Sequence, residues 1–276
     1  MTDGLPIPWT WDYQEHRDRT LSEAVSDEEL RARFASRVPL PAGYGRGLDE
    51  RCVEYPWLLA HLPPGPGRLL DAGSALNHEF LLERDALAAK RIHIVTLAPE
   101  DRCFWRRGVS YVFEDLRALP FPDGIYDIVV SVSTIEHVGC DNSSYTLNLP
   151  SAEQQSGSFE QAAREIGRVL KPGGLLLLTV PYGRYQFHGA FQQFDRQHLS
   201  RAEAAFGDVT IIEETFYRYS RDGWQVARDE ECGDCEYVAW VSEFMRTGRS
   251  PEPRQHEPDY AAAARAVACV KLTKAG

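Results

Sequence analysis

RLLDAGSALNH, residues 68–78, is the stretch on which the fold turns. A short apolar strand runs into Asp71, and Gly73, Ser74 and Ala75 then turn the chain before a helix. Gly73 lets the backbone approach a ligand closely, and Asn77 stands where such loops place a left-handed residue, a conformation Asn tolerates better than most. With one glycine where dinucleotide loops have three, the stretch alone reads equally well as an ordinary strand–turn–helix. The surrounding chain has to decide.

Working outward, IHIVTL at 92–97 is a second strand, Val109 to Phe113 a third, and IYDIVVSV at 125–132 a β-branched run of the kind covered on both faces. Helices are expected at 20–36, 49–61, through FLLERDALAA (80–89), near 99–107, at FEQAAREIGRVL (159–170) and at 200–206. The helix at 159–170 stops at KPGG, and the apolar LLLLTVP follows. VTIIEETFYRY and AVACVKLTK supply the last two strands. Seven strands with intervening helices predict an α/β doubly wound sheet. Residues 1–64 read as an N-terminal helical cap and 65–276 as the main domain, with insertions at about 140–157 and 218–262. The Pro-rich and charged SPEPRQHEPDY at 250–260 reads as a surface loop.

Composition narrows the partners. The 276 residues carry a net charge of −11, which argues against nucleic acid, whose binding surfaces need cations to neutralise phosphate. No stretch approaches the ~20 apolar residues of a membrane span, and the N-terminus lacks the pattern of a signal peptide. Six scattered cysteines do not form a disulfide framework, so a reducing cytoplasm is expected. A dinucleotide fold would want G-x-G-x-x-G and an acid about 20 residues on, and the chain has neither.

LLDAGSALN, TLAPE, EDLRALPFPDGIYDIVVS, STIEHVG and REIGRVLKPGGLLLLTVP, in that order, resemble the class I S-adenosylmethionine-dependent methyltransferases over roughly residues 68–274. DERCVEYPW, DAGSALNH, STIEHVG and GRYQFHGAFQQFD further resemble a bacterial subgroup loosely tied to glycan and secondary-metabolite pathways. The resemblance implies a Rossmann-like, mostly parallel seven-stranded sheet of order 3-2-1-4-5-7-6, its last strand antiparallel, with helices on both faces. It implies S-adenosylmethionine as cofactor, S-adenosylhomocysteine as product and methyl transfer to oxygen or nitrogen of a small polar acceptor, a sugar-bearing one as first guess. Two rival readings are a non-catalytic binding or regulatory role and chemistry other than methylation on the same cofactor. A homodimer stays open.

Ligands in such folds lie beyond the carboxyl ends of the strands. Asp71, Ala72, Gly73, Ser74, Asn77, Thr96, Leu97, Glu114, Asp115, Leu116, Ser131 and Ser133 are therefore the expected cofactor residues. By resemblance Asp115 receives the adenine amino group, although an Asp there also suits a helix cap. Thr96 stands where the resemblance places an acid for the ribose; a hydroxyl lacks a carboxylate's charge-assisted strength, and Glu100 lies close enough in sequence to help.

A proton acceptor is the remaining requirement. Glu136, His137 and His188 are the candidates, with His137 preferred; Glu136 and His137, being adjacent, should not both face the substrate. Tyr182, Tyr185, Gln192 and Asp195 combine aromatic faces with polar groups and are the expected acceptor contacts, unless they satisfy one another. No metal is expected. Cys232 and Cys235 form one C-x-x-C, short of the four ligands of a zinc site unless the fold adds Cys140, His137 or His188, and the acids Glu213, Glu214, Asp229, Glu230 and Glu231 read as solvated. The N-terminal aromatics Trp9, Trp11, Tyr13, Tyr44, Tyr55 and Trp57 read chiefly as glue between cap and sheet, less readily as a lid.

Overall fold

The structure, a computed structural model, describes residues 4–143, 145–146, 153–238 and 257–276. Helices α1 (Trp11–Ala24), α2 (Glu28–Ser36) and α3 (Arg51–His61) lead into β1 (Gly67–Ala72). Two single turns, α4 (Glu79–Leu82) and α5 (Asp85–Ala88), precede β2 (Lys90–Thr96), then β3 (Ser110–Phe113) and β4 (Tyr126–Val132). Helix α6 (Phe159–Val169) joins β5 (Leu170–Pro181). A small hairpin of β6 (Gln186–Phe187) and β7 (Gln192–Gln193) stands off the main sheet before α7 (Arg196–Ala205). The chain closes with β8 (Val209–Ser220), β9 (Gly223–Ala227), the turn α8 (Asp229–Cys232) and β10 (Ala266–Lys274).

The main sheet has eight strands in the order β3-β2-β1-β4-β5-β10-β8-β9. This is the expected order with one addition. β1 pairs parallel with β2 and β4, and β10 lies antiparallel between β5 and β8. The extra edge strand β9 folds back on β8 through Ser220↔Gly223. It falls inside the segment expected as an insertion from 218, because GWQVA is too short and too mixed to announce itself. The helix expected near 99–107 is only a 3₁₀ turn at Trp105–Arg107, and the 20–36 helix is two, broken at Asp27, which caps α2 by accepting from the Leu30 amide. The surface loop expected at 250–260 lies outside the described residues up to 256.

Alternation along the strands divides the core into two layers. Leu69, Ile92, Ile94, Ile128, Val130, Leu177 and Val267 face one cluster with residues of α1, α2 and α3. Leu70, Val95, Val129, Leu176, Leu178 and Ala268 face the other, with α6 and α7. The N-terminal helices thus supply much of one face of the sandwich, with Leu81, Leu82 and Leu87 of α4 and α5 beside them. Their aromatics mostly act as glue: Tyr13 and Trp57 are fully buried, while Trp11 is 81% exposed.

Candidate active site

At the carboxyl end of β1, Asp71 accepts from the backbone amides of Ala75 (3.2 Å) and Leu76 (2.7 Å), which ties the following loop into a cradle. Burial pushes its carboxyl up to about 7, against those two amide donors. Gly73 (φ +123°) and Ser74 (φ +67°) take the left-handed region. Asn77 does not, which corrects the expectation: its side chain is instead a brace, donating to Glu100 Oε2 (2.7 Å) and the Arg102 carbonyl (3.1 Å) and accepting from Tyr111 Oη (2.8 Å). Ala75 fits because it keeps a negative φ.

A Cβ on Gly73 would lie 2.1 Å from Thr134 Oγ1 and 2.2 Å from its Cγ2. Gly73→Ala should therefore weaken S-adenosylhomocysteine binding by about tenfold or more, since the loop must shift and an L-residue is strained at this φ. Calorimetric titration reads this directly; unchanged affinity would mean that the loop does not contact the ligand.

A cavity of about 250 Å³ opens beside this loop. Of the expected cofactor residues, Gly73, Thr96, Leu97, Glu114, Asp115, Leu116 and Ser133 line it. Asp71, Ala72 and Ser131 are buried behind it, and Ser74 and Asn77 do not line it. Glu100 lines it beside Thr96. Asp115 does cap a 3₁₀ turn, accepting from the Arg117 amide, and its carboxylate also receives the Arg117 guanidinium at 2.6 Å. Burial raises the Asp115 carboxyl, but the Arg117 bonds outweigh it and hold the group below its usual range.

A second cavity of about 240 Å³ adjoins the first and shares Arg51, Ser133, His137 and Tyr145 with it. Glu136 and His137 both line it, contrary to the expectation that only one would. They lie in a tight 3₁₀ turn, Ile135–His137. His137 Nδ1 lies 2.9 Å from the Ala190 carbonyl. A carbonyl only accepts, so Nδ1 carries the proton and Nε2 keeps a free lone pair. Burial, opposed by that carbonyl and assisted by the Arg51 charge, lowers the imidazole to about 4.

The junction is held from α3. Glu54, fully buried, accepts from Ser133 Oγ and Thr179 Oγ1, each at 2.5 Å, and from Arg51 Nη1 at 2.5 Å. Ser133 stands in the left-handed region, at φ +40°. Neither Arg51 nor Glu54 is among the expected site residues. Their signal was present in DERCVEYPW as two charges three apart, on one face of a helix otherwise apolar.

The loop after β5 is a structural unit. Tyr182 bonds Asp229 and packs on Phe216 with ring centres 4.8 Å apart. Tyr185 stacks on His198 at 4.1 Å, the Gln192 amide donates to the Ser156 carbonyl, and Asp195 caps α7. None of the four lines either cavity. His188 lines neither as well; it stacks on Phe191, which does line the second. Cys232 and Cys235 pack in the apolar cluster below β8. Among the described residues no group of three or more His, Cys, Asp or Glu is placed to hold a metal ion. Glu214 and Asp229 are paired with Arg196. No helix among the described residues is long and apolar enough to cross a membrane.

Residues 72–178 match the family model described as a methyltransferase domain. Over that stretch the chain resembles a class I S-adenosylmethionine-dependent methyltransferase domain. The match supports an enzyme with S-adenosylmethionine as its cofactor. No curated protein matches the sequence. Among solved structures, the [4+2]-cyclase SpnF is similar at 19% identity and a TM-score of 0.49, over 99% of this chain and 98% of the other. The 1,6-didemethyltoxoflavin-N1-methyltransferase of Burkholderia thailandensis is similar at 17% and 0.47, over 100% and 94%. The YcgJ protein of Bacillus subtilis is similar at 14% and 0.48, over 81% and 99%. The residues lining the first cavity fit the cofactor: they combine Gly73, apolar Leu97 and Leu116, and oxygen acceptors at Thr96, Glu100 and Asp115.

Proposed function

We propose that the protein transfers a methyl group to the oxygen or nitrogen of a small polar acceptor seated in the second cavity, with His137 as proton acceptor. The observation that carries this reading is the pair of adjoining cavities with the free Nε2 of His137 between them. When bound, S-adenosylmethionine supplies a methyl group on sulfonium, whose carbon–sulfur electron pair stays on sulfur as the acceptor's lone pair forms the new bond. His137 Nε2 takes the proton that the acceptor sheds. Arg51, at the junction, is held by Glu54, and Ser133, fixed by the same carboxylate, keeps that wall rigid. Desolvation between the cavities favours a reaction in which charge is dispersed.

Glu100 takes the ribose in place of an acid at the end of β2, because its carboxylate lies on the same cavity wall as Thr96 and is already oriented by Asn77. Glu100→Gln should then weaken S-adenosylhomocysteine binding by about tenfold, the value of one hydrogen bond to a charged group. Calorimetry on the purified chain tests cofactor and residue together. Absence of binding at millimolar ligand would sink the methyl-transfer reading, and an unchanged Glu100→Gln affinity would remove only the ribose assignment. The four residues that suggested a sugar-bearing acceptor, Tyr182, Tyr185, Gln192 and Asp195, are engaged elsewhere and give that choice no support.

A further inference from the structure

The second cavity carries an electrostatic asymmetry. Arg17 is committed to Asp49 at 2.5 Å, and Arg51 to Glu54 at 2.5 Å. That leaves Glu50 and Glu136, both on the cavity wall, without a cationic partner. Glu50 accepts one bond, from the Ala264 amide at 3.1 Å. Glu136 is 1% exposed, and neither of its carboxylate oxygens has any hydrogen-bond partner. A buried carboxyl with both oxygens unmet is costly to maintain. Nothing in the packing of this wall explains it, whereas a ligand in the cavity does.

We propose that the second cavity recognises a protonated amine, held between Glu136 and Glu50, with its carbons against Trp9, Phe191, Tyr145 and Tyr237. Four aromatic rings and two carboxyls form the chemistry that selects an organic cation over a neutral polyol: the rings present negative π faces, and the carboxylates supply charge-assisted bonds. Burial, reinforced by the Glu54 charge, raises the Glu136 carboxyl well above its usual range, and burial with Asp49 and Glu54 raises Glu50. Arg51 acts the other way on both. A cation entering the cavity reverses this penalty; a hydroxyl group does not. The inference rests on reading the second cavity as the acceptor side of the proposed methyl transfer.

The test titrates the full chain calorimetrically with benzylamine and with benzyl alcohol, two probes of equal size, in the absence and presence of saturating S-adenosylhomocysteine. The amine should bind about tenfold or more tightly than the alcohol, the worth of a charged hydrogen bond. Glu136→Gln, close in shape to the original, should erase most of that preference and leave the affinities for benzyl alcohol and S-adenosylhomocysteine unchanged. Glu50→Gln, whose amide oxygen still accepts from Ala264, should reduce the preference independently. Equal affinity for the two probes, no detectable amine binding, or a preference that survives in both variants overturns the proposal. Failure of S-adenosylhomocysteine to bind while the amine preference persists would instead count against the proposed methyl transfer.

Discussion

Glu54→Ala is expected to cost about 3–5 kcal/mol of folding stability, the typical penalty for removing one member of a buried ion pair. In a chain of this size that corresponds to a melting temperature lower by roughly 6–20 °C, read by calorimetry or circular dichroism. Three donors lose their acceptor at once: Arg51, Ser133 and Thr179. The first would be left charged in a half-buried place, and the other two would lose the anchor that joins α3 to the ends of β4 and β5. Glu54→Gln should cost less, because the amide oxygen still serves the hydroxyls. Arg51→Met introduced into Glu54→Ala should recover part of the loss, since the orphaned charge goes with it. A fall of under 1 kcal/mol for Glu54→Ala would show that the carboxylate is dispensable to the junction.

His137→Ala should reduce kcat by about a hundredfold to ten-thousandfold, the range for a lost general base, while S-adenosylhomocysteine affinity changes far less. The pH profile separates this from a packing defect. Because the folded imidazole is lowered to about 4, its own protonation should enter kcat/KM only as pH approaches 4, whereas a break near neutrality belongs to Glu50, raised to about 7, and should vanish in Glu50→Gln. The stability linkage has the same direction. A histidine whose folded value is depressed contributes stability above its unfolded value, and this contribution is lost as pH falls from about 6.5 toward 4. His137→Ala should therefore lack that part of the acid-induced destabilisation. Full activity in the variant, or a break near 6.5 that survives both Glu50→Gln and Glu136→Gln, would rule out His137 as the proton acceptor.

How far the chain announces these features differs from residue to residue. The strands were readable because both faces of the sheet are covered, so that runs such as IYDIVVSV and LLLLTVP stay apolar throughout. The first cavity was readable because strand ends followed by turns locate it: Gly73, Thr96, Leu97, Glu114, Asp115, Leu116 and Ser133 line one cavity. The acceptor side was not, since residue type names a capability and the fold decides whether it is used. Tyr182, Gln192 and Asp195 have the chemistry of a binding site, yet their bonds to Asp229, Ser156 and the start of α7 consume it. Trp9, Glu50 and Arg51 reach the second cavity from a segment read as a cap, across a sequence distance that no local pattern bridges. Asn77 shows the same limit at one residue: its tolerance for left-handed backbone was sound chemistry, but the turn placed that demand on Ser74.

The two cavities draw on different parts of the chain. Apart from Arg51, the first is lined wholly by residues between Gly73 and Glu153, whereas the second takes most of its wall from Trp9 to Arg51 and from Pro181 to Ala263. On the proposed reading, cofactor use is written in a central cassette and acceptor choice in the two flanks that embrace it. Substitutions in the flanks therefore reshape the second cavity and, Arg51 apart, leave the first untouched, while Ser133, His137 and Tyr145 are the central segment's own share of both walls.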